Sequence, residues 1–196
     1  MSNSQVAFAR DHLALLAKRK DGQQYSGSLE SRDTVHYGSF RARYAIKASG
    51  TGGQGAVSGF FTFKAGGDNE LDIEILTSEP KTRAHYSTHV EGGEGGGNPT
   101  FVKDFPFGWD QMLTHRFDWE PDVVRFWVED RWMGDLRKGV PQSPSTLCLN
   151  MWSSGEQTWG GSMAEGGEAR MEIRWVQGFY NTTQDRQGCE KMCYVG

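Results

Sequence analysis

The sequence predicts an all-β protein built as a sandwich of two antiparallel sheets. Three observations support this prediction: glycine is abundant, aromatic residues are frequent, and short runs with period-two alternation recur along the chain. Glycine occupies 26 of the 196 positions, nearly twice its usual share of about 7%, beside 7 Trp, 11 Phe and 6 Tyr. Frequent bends combined with large rings suit a β-sandwich better than a helix bundle.

Ten runs of β-like composition lie between glycine-rich turn signals. In one of them, Phe40, Ala42 and Tyr44 share a face opposite two arginines, as expected for a strand with one buried face. Because no long helical pattern, internal repeat or long linker interrupts the runs, we expect residues 1–196 to form a single domain. The predicted strands are Leu13–Lys18, Gly27–Ser31, Gly38–Ala48, Val57–Phe63, Glu70–Leu76, Arg83–Val90, Leu113–Trp119, Val123–Val128, Thr146–Trp152 and Ala169–Tyr180.

Charge and hydropathy exclude several classes of protein. The net charge is −4 and the pI is about 5.7, so there is no basic surface for nucleic acid. No apolar run approaches the roughly 18 residues that cross a bilayer. Leu13–Ala17 is too short and too closely flanked by charges for the apolar region of a signal peptide. Two interpretations stay open: a cytosolic chain, or a secreted one whose signal has been removed.

Two features resemble cofactor or metal motifs, but both are weak. Gly50–Gly55 matches the GxGxxG of dinucleotide-binding proteins, but the following run, Val57–Phe63, has the composition of a strand rather than a helix. His85 and His89 would share one strand face, where we expect polar cleft residues rather than metal ligands. The chain contains no CxxC that would indicate a zinc site. We therefore expect neither a cofactor nor a metal.

The three cysteines carry limited information. Cys189 and Cys193 lie close together near the carboxyl end, so a small disulfide loop is allowed but not required. Cys148 lies in an apolar, strand-like run, and its simplest interpretation is a buried thiol.

The most informative stretch is an acidic strand, Glu70-Leu71-Asp72-Ile73-Glu74. On a strand, the three acidic side chains point to one side and the apolar ones to the other. The apolar face suits a core, whereas three neighbouring carboxylates repel one another and do not stabilise the fold. Because no Lys or Arg accompanies them on this strand, a plain surface strand is disfavoured, and a catalytic site is one interpretation. A solvated acidic face and a calcium site are the alternatives.

Paired carboxylates on one strand face suit glycoside cleavage with retention of configuration. That reaction needs two carboxyl groups roughly 5–5.5 Å apart, one as nucleophile and one as acid/base. Residues four apart on a strand have Cα atoms about 13 Å apart, so Glu70 and Glu74 must lean towards each other. The carboxyl group of Asp72 between them can hold a proton and separate their pKa values.

Several motifs accompany the acidic strand in a fixed order between about Gly22 and Asn181. They are Tyr37–Arg43, Ser58–Phe63, His115–Pro121, Val124–Trp127 and Leu149–Trp152. Together with the complete Glu-x-Asp-x-Glu pattern of Glu70–Glu74, this order resembles glycoside hydrolase family 16.

The resemblance implies a concanavalin A-like β-jelly-roll of two curved antiparallel sheets, with a sugar-binding cleft on the concave face. It assigns Glu70 as nucleophile, Asp72 as helper and Glu74 as general acid/base. The uninterrupted motif is similar to that of licheninase-like enzymes, which implies retaining endo-hydrolysis of mixed-linkage β-1,3-1,4-glucan or β-1,3(4)-glucan. We expect a secreted monomer whose partner is the polysaccharide. A cell-wall transglycosylase with the same catalytic residues and a non-catalytic carbohydrate-binding lectin are the alternatives.

Strand alternation extends the expected cleft. Asn150 would offer hydrogen bonds and Trp152 a flat ring to the sugar, although a core position is the alternative for Trp152. This alternation also moves Cys148 to the cleft side, while Trp109 suits core or rim equally. The predicted substrate-binding residues are Phe61, Phe63, His85, His89, Asn150, Trp152 and Trp159.

Two features depart from the family pattern. The family's first strand has no clear counterpart, so we expect an edge strand to be missing or replaced by Ser2–Arg10. Some members bind calcium with help from an Asp just before the Trp of the last strand. Here Arg174 precedes Trp175, and we expect no calcium because a cation stands where a ligand should be.

Overall fold

A computed structural model describes residues 5–48, 50–64, 69–90, 99–155, 157–181 and 191–195, with only the backbone described for residues 51, 181 and 191–195. The described chain is almost entirely strand and turn. The strands are β1 (Val6–Phe8), β2 (Leu13–Lys20), β3 (Gln23–Tyr25), β4 (Gly27–Ala48), β5 (Val57–Phe63), β6 (Asn69–Leu76), β7 (Arg83–Val90), β8 (Thr100–Asp104), β9 (Leu113–Glu120), β10 (Val123–Val128), β11 (Arg131–Leu136), β12 (Ser145–Trp152), β13 (Glu168–Asn181) and β14 (Lys191–Val195).

The strands form two antiparallel sheets, which confirms the predicted all-β sandwich. The front sheet has the order β4-β12-β5-β6-β7-β8. The back sheet has the order β2-β13-β4-β9-β10-β11. β1 and β3 both pair with β2, and β14 pairs with β13. The acidic strand β6 therefore lies inside the front sheet, with a hydrogen-bonded neighbour on each side.

The 22-residue strand β4 belongs to both sheets. Its first part pairs with β12 of the front sheet, and the part from His36 onwards pairs with β13 of the back sheet. At the changeover, Tyr37 has φ 55° and Gly38 has φ 142°. A Cβ at position 38 would lie 2.2 Å from the carbonyl oxygen of Phe179, so this close approach requires glycine. The prediction of two separate strands, Gly27–Ser31 and Gly38–Ala48, was wrong because the strand pairing passes directly from β12 at Val35 to β13 at His36, so one strand runs through the bend.

Aromatic rings from the two sheets meet in the core. Phe60 of β5 contacts Phe117 of β9 with ring centroids 4.9 Å apart, and Tyr86 of β7 contacts Phe126 of β10 at 5.0 Å. Trp109, which suited core or rim equally on sequence, is 4% exposed and belongs to the core. Burial of these large rings between the layers supplies the main favourable term for folding.

Four strands were not predicted: β3, β8, β11 and β14. β1 lies within Ser2–Arg10 and forms an edge beside β2, which is the second of the two alternatives expected for this segment. The 3₁₀ helix Gly50–Gly53 lies between β4 and β5, so the GxGxxG match does not open an α-helix. Within the described residues, no helix is long and apolar enough to cross a membrane.

Candidate active site

Strand alternation places the three carboxyl groups of β6 on the outer face of the front sheet. The intervening residues Leu71 and Ile73 are fully buried in the core, so their neighbours must point the other way. Beside the carboxyl groups lies a groove of about 320 Å³. It is lined by Gly59, Phe61, Phe63, Glu70, Asp72, Glu74, Asn150 and Trp152.

The groove brings together seven residues named from the sequence. The three acidic residues come from β6, two phenylalanines come from β5, and an asparagine and a tryptophan come from β12. These strands are adjacent in the sheet, and Phe61 pairs with Asp72 on one side and Cys148 on the other. Residues remote in sequence therefore meet because the register puts them on one face.

Asp72 is the most enclosed of the three acidic residues, at 4% exposed. The hydroxyl of Ser87, its cross-strand partner on β7, donates a hydrogen bond of 2.9 Å to Oδ2 of Asp72. Nε2 of His89 lies 3.3 Å from the same oxygen. These partners fix the orientation of the Asp72 carboxyl group between its two neighbours.

Burial raises the pKa of two carboxyl groups in the groove. It raises the pKa of Glu74 to about 7, and the charge of Asp72 adds to the effect, while His89 and an indole hydrogen bond from Trp159 oppose it. Burial also raises the pKa of Glu70, and Asp72 raises it further by its charge and by a hydrogen bond. The hydrogen bond to Asp72 raises the pKa of His89. The groove therefore retains carboxyl protons near neutrality, when isolated glutamates have lost theirs.

Asn150 and Gly59 form the neutral part of the groove floor. Oδ1 of Asn150 is buried and has no hydrogen-bond partner among the described residues. A Cβ at position 59 would lie 2.5 Å from that oxygen. Glycine therefore lets Asn150 lie against β5, close to the strand position paired with Glu74. A substrate hydroxyl in the groove would satisfy the unpaired acceptor.

His85 and Trp159 lie beside the Glu74 end of the groove rather than in its lining. Their rings meet edge to face, with centroids 4.9 Å apart. Nε2 of His85 lies 2.7 Å from Oε2 of Glu79, which follows β6. Of the two predicted histidines, His89 therefore reaches the central carboxyl group, whereas His85 contacts the rim tryptophan.

Cys148 is both buried and on the groove side of β12, which are the two positions considered for it. It is 4% exposed and lies opposite Phe61 on the groove face. Burial raises the pKa of its thiol to about 12, with the charges of Glu30 and Glu70 adding to the effect. The thiol is therefore unreactive as a nucleophile at neutral pH. Cys189 and the side chain of Cys193 fall outside the described part of the chain.

In the described part of the chain, no three His, Cys, Asp or Glu side chains are arranged to hold a metal ion. Arg174, which stands where some family members have a calcium-binding Asp, donates a hydrogen bond of 2.9 Å from Nη2 to Oδ2 of Asp11. A guanidinium group thus neutralises this carboxylate.

A sequence model of "Glycosyl hydrolases family 16" matches residues 1–177. The chain belongs to this family. The family 16 chain is 28% identical over 187 residues to a beta-glucanase of Acetivibrio thermocellus, in a match covering 91% of this chain and 54% of that protein. It therefore spans about half the length of that relative. A beta-glucanase of Paenibacillus macerans is 25% identical over 181 residues, covering 88% of this chain and 73% of that protein.

Solved structures share the fold of the family 16 chain. Bacillus licheniformis beta-glucanase superposes with a TM-score of 0.75 at 23% identity, covering 88% of this chain and 80% of that one. A prokaryotic beta-1,3-1,4-glucanase (lichenase) derived from a mouse hindgut metagenome gives 0.76 at 21% identity, covering 91% and 83%. These likenesses confirm the jelly-roll architecture.

Sequence reasoning missed three residues of the family 16 site. Ser87 could not be linked to Asp72, because a serine on a polar strand carries no distinctive signal. Gly59 matters through the close approach of Asn150, which only the strand register reveals. Glu79 lies in the turn after β6, and no sequence spacing connects it with His85.

Proposed function

We propose that this family 16 chain hydrolyses internal linkages of mixed-linkage β-1,3-1,4-glucan or β-1,3(4)-glucan with retention of configuration. One observation carries the proposal: three carboxyl groups share the floor of an aromatic-lined groove, where burial raises the pKa of Glu74 to about 7 and that of Glu70 to about 8. The relatives named beta-glucanase support the choice of substrate class. Because the substrate is a polysaccharide outside the cell, we also propose that the enzyme works extracellularly.

Glu74 is the general acid of the first step. With a pKa of about 7 it holds a proton at neutral and mildly acidic pH, and it donates this proton to the glycosidic oxygen as the C–O bond breaks. The electron pair of that bond goes to the leaving oxygen. The carboxylate of Glu70 attacks the anomeric carbon from the opposite face and forms a glycosyl-enzyme ester.

Glu70 must be ionised for this attack, although burial and Asp72 raise its pKa. Positive charge developing on the sugar in the transition state favours the anion of Glu70. The Ser87 hydroxyl and His89 hold the Asp72 carboxyl group in place between the two glutamates.

Glu74 is the general base of the second step. Having lost its proton, it accepts one from a water molecule, whose oxygen attacks the anomeric carbon and releases Glu70. The sugar is held by stacking on Trp152, Phe61 and Phe63. Asn150 accepts a hydrogen bond from a sugar hydroxyl.

Release of reducing ends from lichenan, laminarin and xyloglucan tests the proposed activity. We expect release from the first or second substrate, and loss of at least about 1,000-fold in Glu70→Ala, the size typical of removing a nucleophile. Glu120→Ala, which changes an exposed glutamate of β9, is the control and should match the wild type. Glucan binding without release indicates a lectin, and exchange of oligosaccharides without new reducing ends indicates a transglycosylase. Either result contradicts the proposal.

Azide distinguishes the two roles. In Glu74→Ala, azide should attack the glycosyl-enzyme and give the β-glycosyl azide, because the first inversion has already taken place. In Glu70→Ala, azide should replace the nucleophile and give the α-glycosyl azide. The reverse pattern would exchange the two assignments, and unchanged hydrolysis in Glu70→Ala would refute them.

A further inference from the structure

A side-chain cluster beside the groove is not accounted for by the two-carboxylate reaction. It consists of Glu79, His85 and Trp159, and is called the rim cluster below. The imidazole of His85 is largely enclosed, with 11% of the side chain exposed, and lies 2.7 Å from a carboxyl oxygen of Glu79. Its ring lies edge to face with Trp159 at an interplanar angle of 75°. The Cα of His85 is paired with that of Glu74 across the β6–β7 ladder.

The rim cluster connects two separate segments of the chain. The backbone N–H of Glu79 donates to the carbonyl oxygen of Leu76 at 3.1 Å, which fixes the turn after β6. Trp159 lies in a turn beyond β12 and is followed by two glycines with positive φ, Gly160 and Gly161. Such a turn is held less tightly than a ladder strand. Its half-buried ring therefore depends on side-chain contacts for its orientation.

The ring of Trp159 contacts His85, whose Cα is paired with that of Glu74, and the indole N–H, as a hydrogen-bond donor, lowers the pKa of Glu74. A donor of this kind stabilises the carboxylate relative to the acid. Burial acts in the opposite direction on the same group. The donor thus limits how far burial raises the proton affinity of Glu74.

We propose that Glu79 and His85 are positioning residues that hold the indole of Trp159 against Glu74. The pair keeps the imidazole edge on the indole ring, and the ring in turn keeps its N–H on the carboxyl group. Glu74 must be an acid in the first step and a base in the second, so it needs a proton affinity that allows both states. The catalytic role of Glu74 in this inference rests on the proposed function.

The charged groups around Glu74 set the sign of the expected effect. Asp72 on its own strand raises its pKa, whereas His89 and Trp159 lower it. On the remaining side, His85 faces Glu79. Releasing Trp159 should therefore raise the pKa of Glu74 and move the alkaline limb of kcat/KM to higher pH. Deglycosylation should slow, because less Glu74 is available as a base.

The pH dependence of kcat/KM tests the rim cluster. We expect Trp159→Phe, which keeps a ring but removes the donor, to move the alkaline limb upward by about one pH unit, the size of one lost hydrogen bond to a charged group. Glu79→Gln and His85→Phe should move it in the same direction, with kcat falling more than KM changes. Adding His85→Phe to Trp159→Phe should give no further shift.

His12→Phe is the matched control. His12 also pairs with a carboxylate, Asp11, at 2.9 Å, but it immediately precedes β2 of the back sheet and lies outside the front sheet. The variant His12→Phe should leave the alkaline limb of kcat/KM in place. An unmoved limb in Glu79→Gln and His85→Phe would overturn the inference, as would a shift that adds to that of Trp159→Phe.

The indole ¹H–¹⁵N resonance of Trp159 tests the same contact without any substrate. It is assigned by its loss in Trp159→Phe, and its pH titration should follow Glu74 and vanish in Glu74→Gln. In Glu79→Gln, an isosteric change, the inflection should move to higher pH. If the wild type cleaves no glucan but this titration behaves as stated, the proposed function fails and the positioning contact stands. An indole titration unchanged in Glu79→Gln overturns the inference.

Discussion

Glu74→Gln is expected to stabilise the folded protein above neutral pH while removing the proposed acid/base. The ordinary pKa of a glutamate is 4.5, and in the folded protein burial raises that of Glu74 to about 7. Below pH 4.5 the group is protonated in both states and does not lower the free energy of unfolding. Between pH 4.5 and about 7 the unfolded chain loses the proton that the folded protein keeps, so stability falls by about 1.4 kcal/mol per pH unit.

The cost reaches about 3 kcal/mol above pH 7 and then stays constant. Gln has the same shape and no charge, so Glu74→Gln should remove this pH-dependent cost. The free energy of unfolding, measured with urea at pH 4, 5.5, 7 and 8.5, should differ little from the wild type at pH 4. It should exceed the wild-type value by about 3 kcal/mol at pH 8.5.

The control for this measurement is Glu165→Gln. The Glu165 side chain is 56% exposed and pairs with Arg19 at 3.5 Å, a surface contact worth less than about 1 kcal/mol. Its effect on stability should be small. A difference between Glu74→Gln and the wild type that is the same at pH 4 and pH 8.5 would refute the reasoning, because desolvation of a carboxylate must depend on its ionisation.

Three further changes probe the groove, the core and the back sheet. Gly59→Ala places a Cβ 2.5 Å from Oδ1 of Asn150, so KM for glucan should rise several-fold in steady-state kinetics while the protein stays folded. Ile73→Ala empties a fully buried position and should cost about 2–5 kcal/mol in urea unfolding. Because Arg174 already neutralises Asp11, neither calcium nor EDTA should move the melting temperature. A calcium-dependent shift reversed by EDTA would contradict this expectation.

The fold could be predicted from local sequence patterns wherever the strands are long and amphipathic. In β6, the alternation of acidic and apolar residues predicted both faces correctly, since Leu71 and Ile73 are fully buried. The missed strand β3, like the edge strand β1, has three residues, too few for an alternating pattern to be recognised. β8 is exposed along most of its length, so its sequence carries little of the hydrophobic signal that marks a core strand.

The site was predictable only in part because much of it depends on cross-strand register. Glu70, Asp72 and Glu74 could be grouped from one strand, and alternation extended the group to Asn150 on another. The contact between His85 and Glu79 depends on how a turn folds back over β7, and the groove space beside Asn150 depends on the absence of a side chain. Neither leaves a periodic trace in the sequence.

Strand β4 has a consequence for the local dynamics of the groove. One backbone continues from the front sheet into the back sheet, and its second part, Gly38–Tyr44, lies between β13 and β9. Amides of this part should exchange with solvent only through unfolding of the whole domain. The acidic strand β6 is connected to β4 through β5 and β12. The repulsion among its three carboxyl groups is therefore opposed by the stability of the whole domain.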